Sequence, residues 1–138
     1  MLSIYPACFY EEENGYCVIF PDLNCSTCGD SFEDAMKYAI DCLAGYIYSE
    51  WQDGTTVPTP SNLSNINPEA IAKELDFTYK NVIVTMVSVD VEAYAKEHFE
   101  KSVKKTLTIP IWLNNLALKN NVNFSQVLQE ALIQKLLG

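Results

Sequence analysis

The chain has 138 residues, 49% of them hydrophobic, which is enough for one ordinary domain or for a small domain with an appendage. Its formal net charge of −9 argues against nucleic-acid binding when the charge is averaged over the chain. No apolar run approaches the roughly 18 residues of a membrane span, and the N-terminus lacks the charged start of a signal peptide. We therefore expect a cytoplasmic protein that does not enter a membrane.

The charge is distributed unevenly along the chain. Residues 1–60 contain ten carboxylates and one lysine, whereas residues 101–138 contain five lysines and one glutamate. This asymmetry predicts two modules, an acidic one that attracts a basic protein and a basic one that attracts phosphate. The chain has no arginine, so any reading of DNA bases falls to lysine, threonine and asparagine.

The first half of the chain predicts a sheet with one main helix. Leu2–Tyr10 and Tyr16–Phe20 are predicted strands, joined by a polar turn in which Asn14-Gly15 favours a hairpin. Residues 23–28 form a short third strand or a loop. A helix with a wide apolar stripe follows and runs to about Gln52, with Ser31 as its N-cap.

The second part of the acidic module predicts one further strand. Residues 55–68 are rich in proline and polar residues and predict a loop, and Glu69–Leu75 predicts a short helical turn. Asn81–Val89 is a strand that is apolar on both sides, so we expect it to be well buried. Residues 91–103 predict a short helix or a linker. The resulting fold class is α+β, an antiparallel-rich sheet with one main helix on one face.

The C-terminal part begins with a strand that ends at Pro110, because proline cannot donate to a β-ladder. Side chains alternate along this strand, and one face is polar while the other carries leucine and isoleucine. The polar face consists of Lys104, Thr106 and Thr108. The opposite face consists of Lys105, Leu107 and Ile109.

Two amphipathic helices follow this strand, separated by an Asn120-Asn121 turn, with Asn123 or Ser125 as the cap of the second. A lone seven-residue strand cannot stand by itself, and two short helices bury little. The simplest solution is a second copy, in which two strands pair antiparallel across a two-fold axis. This tail resembles the ribbon-helix-helix repressors, whose β-ribbon enters the DNA major groove. The alternative is a helical hairpin that only dimerises the protein.

The predicted DNA-binding residues follow from this alternation. Lys104, Thr106 and Thr108 face the groove, and Lys105 contacts a backbone phosphate. The N-terminus of the second helix, from Asn123 to Ser125, offers free amides to another phosphate.

Four segments of the acidic module resemble the HicB antitoxin domain. They are Tyr16-Cys-Val-Ile-Phe-Pro-Asp-Leu23, Thr27-Cys-Gly-Asp-Ser31, Glu33-Asp-Ala35 and Asp53-Gly-Thr-Thr-Val-Pro-Thr-Pro-Ser61. The family commonly has Pro-Gly-Cys after its Pro-Asp-Leu, and this chain has Asn24-Cys25 instead. We expect a local change of turn there.

The resemblance implies a degenerate ribonuclease-H-like domain that neutralises a small basic toxin, HicA, which cleaves mRNA. Many such proteins carry a C-terminal DNA-binding domain that represses their own operon. The implied organisation is a toxin-neutralising domain over residues 1–90, a linker over 91–102, and a homodimerising ribbon-helix-helix domain over 103–138, with assembly into tetramers left open. Candidate toxin contacts are Phe20, Asp22, Leu23, Asp30 and the aromatic residues of 46–51.

A ribonuclease-H-like fold also raises the alternative of a nuclease with a dimerisation tail. Two-metal nucleases need several carboxylates on rigid strands, and Leu2–Tyr10 contains none. Cys25-Ser-Thr-Cys28 lacks a second pair of ligands, and the single histidine, His98, is distant in sequence. A redox pair at these two cysteines is an alternative, and we assign no catalytic residue, metal or cofactor. A further alternative is a stand-alone HicB-like regulator without a toxin.

Overall fold

The computed structural model describes residues 1–138 and contains two compact units, Met1–Lys101 and Ser102–Gly138. The first unit has a four-stranded sheet with helices, and the second has two helices. The α+β fold class predicted from the sequence is confirmed. Each unit is described by itself below.

The sheet of the first unit is antiparallel throughout. Its strands are β1 (Ser3–Glu12), β2 (Gly15–Phe20), β3 (Cys25–Gly29) and β4 (Asn81–Val89), in the spatial order β3-β2-β1-β4. The predicted hairpin between β1 and β2 is present, but its turn is Glu13-Asn14, because Glu12 pairs with Gly15. Gly15 therefore begins β2 instead of forming the turn.

Strand β4 lies at the edge of the sheet and pairs only with β1. The expectation that it would be buried on both sides is wrong, since the Ile83 side chain is 46% exposed. Val87 and Val89, nearer the end of the strand, are buried in the main core. A run of apolar residues does not distinguish a central strand from an edge strand, because the number of neighbouring strands decides burial.

One face of the sheet is covered by α1 (Phe32–Gln52). Ser31 caps this helix as predicted, and its Oγ accepts a hydrogen bond from the Asp34 amide at 3.1 Å. Gly29, two residues before this cap, is required by close packing. A Cβ added at Gly29 would lie 2.4 Å from the Ala35 nitrogen, so only glycine lets β3 approach the first turn of α1 this closely.

The opposite face of the sheet has a smaller core around Tyr10. Its hydroxyl donates to the carbonyl of Pro68 at 2.7 Å, where α2 (Pro68–Glu74) begins. The rings of Phe77 and Tyr79 meet the Tyr10 ring edge-on. A 3₁₀ turn over Leu63–Asn65 precedes α2. Helix α2, which the sequence predicted as a helical turn over residues 69–75, therefore covers this second face of the sheet.

Of the two alternatives predicted for residues 91–103, a short helix or a linker, the structure shows a helix, α3 (Val91–His98). Val91 and Ala95 are fully buried, and the Tyr94 hydroxyl donates to Asp41 Oδ1 on α1 at 2.9 Å. The helix belongs to the first unit because its small and branched side chains complete the main core. The first unit accordingly extends to Lys101.

The second unit contains α4 (Ile111–Lys119) and α5 (Phe124–Leu137). The residues between Lys101 and Pro110 form neither helix nor strand in the single chain. The sheet of the first unit does not include them, so the strand predicted over 104–110 has no ladder partner within this chain. A strand is defined by pairing with a neighbour, and a single chain supplies none to this segment.

The turn between α4 and α5 is the asparagine turn expected from the sequence. Asn121 has a φ of 55°, the left-handed conformation that asparagine tolerates. The Val122 amide donates to Ala117 O at 3.0 Å, and the Asn121 amide donates to Leu118 O at 3.2 Å. These two hydrogen bonds form a Schellman motif and end α4 sharply.

Candidate binding surfaces

The second unit has an open apolar groove with a volume of ≈ 750 Å³. Ligand sites typically have volumes of about 300–1,000 Å³. Its walls come from the 105–109 segment and from both helices. Among its lining residues are Leu107, Ile109, Leu116, Val122, Val127 and Leu128. Neither α4 nor α5 contains a buried residue in the single chain. A helix pair that leaves its apolar side chains in water has an incomplete core.

The segment before α4 has the alternation predicted from the sequence. Lys105 lines the groove together with Leu107 and Ile109. Lys104, Thr106 and Thr108 do not line it, and all three are exposed. The polar set is therefore free to contact another molecule, while the apolar set is directed at the helices. Lys105, expected to contact phosphate, lies on the apolar side.

The first turn of α5 contains the other two predicted DNA contacts. Asn123 is the N-cap, and its Oδ1 accepts a hydrogen bond from the Gln126 amide at 3.1 Å. Its side chain is therefore used inside the helix end. Ser125 is exposed in the first turn and is not the cap. The free amides of this turn remain the groups that suit a phosphate.

Two of the predicted toxin contacts are core residues in the first unit. The side chains of Phe20 and Leu23 are 0% and 2% exposed, and both belong to the main core under α1. Their assignment as contacts for a partner is wrong, because they have no surface to offer. The segment that contains them turns inward after β2, and Asn24 takes a left-handed conformation with a φ of 55°.

Asp22 holds the chain together instead of facing outward. Its carboxylate accepts from the Ser61 amide at 2.8 Å and from the Ser61 hydroxyl at 2.5 Å. Nearby, the Tyr5 hydroxyl donates to the Pro58 carbonyl. The Pro-Asp-Leu and Pro-Thr-Pro-Ser motifs thus meet in space and fasten the proline-rich loop to the sheet. Asp22 therefore has a structural role, and its half-buried carboxylate is already engaged within the chain.

Replacing Asp22 with alanine should lower the free energy of unfolding of the first unit by about 1–3 kcal/mol, because a part-buried amide loses a charged acceptor. Urea unfolding would measure the change. Asp30→Ala is the matched control: Asp30 is exposed, and its removal should change stability by less than about 0.5 kcal/mol. Equal effects of the two variants would contradict the structural role of Asp22.

Asp30, the remaining predicted contact, lies at an open cavity of ≈ 450 Å³. The cavity lies where the β1–β2 turn meets the end of β3, and Glu12 and Glu13 also line it. The rings of Tyr16 and Tyr79 provide apolar surface beside these carboxylates. The three carboxylates outnumber the one lysine of the lining, Lys80, and together with the two aromatic residues they suit a lysine or arginine side chain from a basic partner.

Helix α1 exposes two aromatic side chains. Trp51 is 50% exposed, whereas Tyr46 and Tyr48 pack against the main core. Tyr38 is 55% exposed and was not among the residues selected from the sequence. Its position off the apolar stripe of α1 is the signal that identifies it, since an aromatic residue on the polar face of a helix cannot reach the core.

The cysteines and carboxylates of the chain contain no group of three or more that could hold a metal ion. No helix has the length and apolar composition required to span a membrane. Both observations concern residues 1–138.

A family model described as a HicB-like antitoxin of bacterial toxin-antitoxin systems matches residues 5–131. The match covers nearly the whole chain. The chain belongs to the HicB-like antitoxin family. The antitoxin HicB 2 of Photorhabdus laumondii is 38% identical to this HicB-like chain over 58 residues, which are 41% of this chain. The matched region spans about two fifths of that relative, 42% of its length.

Two solved structures resemble this HicB-like chain over most of its length. One is a toxin–antitoxin complex from Streptococcus pneumoniae, with 29% identity, a TM-score of 0.68, and coverage of 98% of this chain and 99% of that chain. The other is the antitoxin HicB of Burkholderia pseudomallei, with 21% identity, a TM-score of 0.53 and coverage of 96% of each chain. The second likeness concerns the fold alone.

Proposed function

We propose that this HicB-like chain is the antitoxin of a type II toxin-antitoxin system in the cytoplasm. Its first unit binds and inhibits a small basic HicA-like toxin that cleaves mRNA. Its second unit dimerises, binds operator DNA as a ribbon-helix-helix domain and represses its own operon. The observation that carries the proposal is the family match over residues 5–131, which includes both the acidic unit and the basic one.

Charge supports the toxin half of the proposal. Residues 1–60 contain ten carboxylates and one lysine, more negative charge than a small domain needs to stay dissolved. The similar chain from Streptococcus pneumoniae was solved in a toxin–antitoxin complex. A basic toxin that binds RNA presents positive charge, so an acidic antitoxin can occupy the surface that RNA would use. The role is binding, and we assign the chain no catalytic residue.

The acidic cavity at Asp30 is the toxin contact that the geometry favours. Neutralising its three carboxylates with Glu12→Gln, Glu13→Gln and Asp30→Asn should lower the association rate constant for the toxin about tenfold at low salt. The dissociation rate should change less, because exposed charges mainly steer the encounter. Stopped-flow or surface-binding kinetics over a range of ionic strength would measure both rates.

A second triple variant provides the control for this experiment. Asp53→Asn, Glu92→Gln and Glu97→Gln remove the same charge from exposed positions that do not line the cavity. The control variant should keep most of the wild-type rate. Equal losses in the two variants would remove the cavity from the proposal. A wild-type rate that does not fall with rising ionic strength would remove the electrostatic steering altogether.

The apolar groove supports the DNA half of the proposal. A second copy of the chain would fill the groove, and two 104–110 segments would pair antiparallel across the two-fold axis. This pairing gives each segment the ladder partner that a single chain lacks. It also leaves Lys104, Thr106 and Thr108 of both copies on the outer face of the ribbon, which fits the major groove.

The neighbouring reading frame tests the function as a whole. It should encode a small basic protein that arrests growth when it is expressed alone, and co-expression of the HicB-like chain should restore growth. The two proteins should also purify together through the first unit. Growth arrest that this chain does not relieve would contradict the antitoxin role. Analytical ultracentrifugation of the purified complex would show whether dimers associate into tetramers.

A further inference from the structure

Two cysteines on neighbouring strands of the first unit are directly opposed. In the register of β2 and β3, Cys17 pairs with Cys28. Both are free thiols; Cys28 is exposed and Cys17 is half-buried. Because opposed residues of an antiparallel pair point to the same side of a sheet, both sulfurs lie on one face. Both residues line the open cavity beside Asp30, so small molecules in solution can reach them.

The backbone hydrogen-bonding pattern makes Cys17 and Cys28 a non-hydrogen-bonded pair. Of the two kinds of directly opposed pair in an antiparallel sheet, this kind has the shorter distance between Cα atoms. Strand β2 is central, so its residues direct their backbone groups alternately to β1 and to β3. The two-residue turn closes on Glu12 and Gly15, so Gly15 and Cys17 are directed to β1. Cys17 and Cys28 therefore oppose each other without backbone hydrogen bonds between them. At such positions Cα atoms lie about 4.5 Å apart, within the range of roughly 4.4–6.8 Å that disulfides require.

We propose that Cys17 and Cys28 are a site of reversible oxidation, at which a low-molecular-weight disulfide converts the two thiols into a bond between β2 and the edge strand β3. In the first step the Cys28 thiolate attacks one sulfur of the small disulfide, forms a mixed disulfide and releases one thiolate. In the second step the Cys17 thiolate attacks the Cys28 sulfur and releases the other. Two protein thiols are oxidised, and one small disulfide is reduced to two thiols.

The environments of the two thiols set the order of these steps. Burial, the Glu12 carboxylate and the neighbouring Cys28 raise the pKa of the Cys17 thiol, in that order of importance. At neutral pH a smaller fraction of Cys17 is therefore thiolate than an ordinary cysteine would have. The exposed Cys28 is the thiol that a small disulfide meets first. The mixed disulfide then places a leaving group next to Cys17, where the strand register holds it.

A second pair of cysteines lies on the other side of β3 and must be distinguished in the test. Cys25 and Cys42 both pack against the main core under α1. The Cys42 Sγ is 3.8 Å from the Ser26 carbonyl, to which it donates. A hydrogen bond with Cys42 raises the pKa of the Cys25 thiol. Both thiols of this pair are half-buried, whereas Cys28 is exposed, so we expect this pair to react more slowly than the pair in the cavity.

The test is oxidation of the full chain in mixtures of glutathione disulfide and glutathione, followed by blocking of the remaining thiols with an alkylating reagent. The oxidised chain should take up two alkyl groups fewer than the reduced chain, and its mass before alkylation should be lower by two hydrogens. Dithiothreitol should reverse both changes. Proteolysis at Glu13, Asp22 and Asp30 separates Cys17 from Cys28. A linked pair of these fragments is the expected product, with the bond assigned to Cys28 by fragmentation between it and Cys25.

Two variants make the result decisive. The double variant Cys25→Ser, Cys42→Ser should form the same linked product as the wild type. Cys17→Ser should lose it completely and accumulate glutathione on Cys28. Mapping the disulfide in the wild-type chain needs no substitution, so the test remains valid if a variant fails to fold. A first bond between Cys25 and Cys42, or glutathione adducts without any bond between Cys17 and Cys28, would overturn the proposal.

Discussion

A Leu116→Glu variant is expected to be monomeric and to lose its binding to operator DNA. Leu116 lines the apolar groove of the second unit, and its side chain is 52% exposed in the single chain. If a second copy covers the groove, each leucine contributes about 1.5–3 kcal/mol on burial, and two are lost per dimer. The dimer dissociation constant should therefore rise by about three orders of magnitude. A carboxylate in a shared apolar core adds a desolvation cost to this loss.

A leucine two residues further along α4 supplies a matched control for this variant. Leu118 is 58% exposed on the same helix, but it does not line the groove. Leu118→Glu introduces the same charge in place of the same side chain, and it should remain dimeric. Sedimentation equilibrium over a range of concentrations would compare the two variants with the wild type. A dimeric Leu116→Glu protein, or equal dissociation of both variants, would show that the groove is not the dimer interface.

Local signals explain which parts of the fold could be predicted from the sequence. Helix α1 begins after Ser31 and ends at Gln52, as its cap and its apolar stripe indicated. The asparagine turn between α4 and α5 depends on a left-handed residue within a few positions of the helix end. In each case the deciding interactions join residues that are close in sequence, so a pattern of residue types contains the necessary information.

Long-range contacts explain where the sequence analysis failed. Asp22 is fixed by Ser61, 39 residues away, and a carboxylate in a loop gives no sign of such a partner. Phe20 and Leu23 are buried because α1 covers one face of the sheet, yet an apolar residue beside a proline suits a surface anchor equally well. Strand β4 is an edge strand because only β1 lies next to it. Each outcome depends on which elements become neighbours.

The family motifs illustrate the same distinction between sequence pattern and physical role. Gly29 permits close contact between β3 and α1, and Asp22 joins Ser61 to fasten a loop. These motif residues maintain the first unit, and they offer little surface to a partner. Of the residues suited to a partner, Glu13 and Tyr38 stand outside the motifs that identify the family, whereas Asp30 lies within one. Motifs therefore supported the fold and the family more directly than the binding surface.

The double variant Lys104→Ala, Thr106→Ala is expected to lose operator binding while it remains a dimer. Both side chains are exposed and stand off the groove, so their removal leaves the apolar contacts intact. A specific contact contributes about 1–3 kcal/mol, and each contact occurs twice per dimer, so affinity should fall by about a hundredfold or more. Fluorescence anisotropy with DNA from upstream of the gene would measure the affinity.

The salt dependence of binding separates the lysine from the threonine. Losing one phosphate contact per chain should reduce the slope of log affinity against log salt by about two per dimer. Lys104→Ala should show this change if Lys104 contacts phosphate. Thr106→Ala should leave the slope unchanged and weaken the preference for operator over unrelated DNA. Lys135→Ala is the charge control, because Lys135 lies in the last turn of α5, far from the N-terminal turn proposed to meet phosphate. If operator affinity survives the double change, the 104–110 segment does not read DNA, and the second unit is a dimerisation hairpin alone.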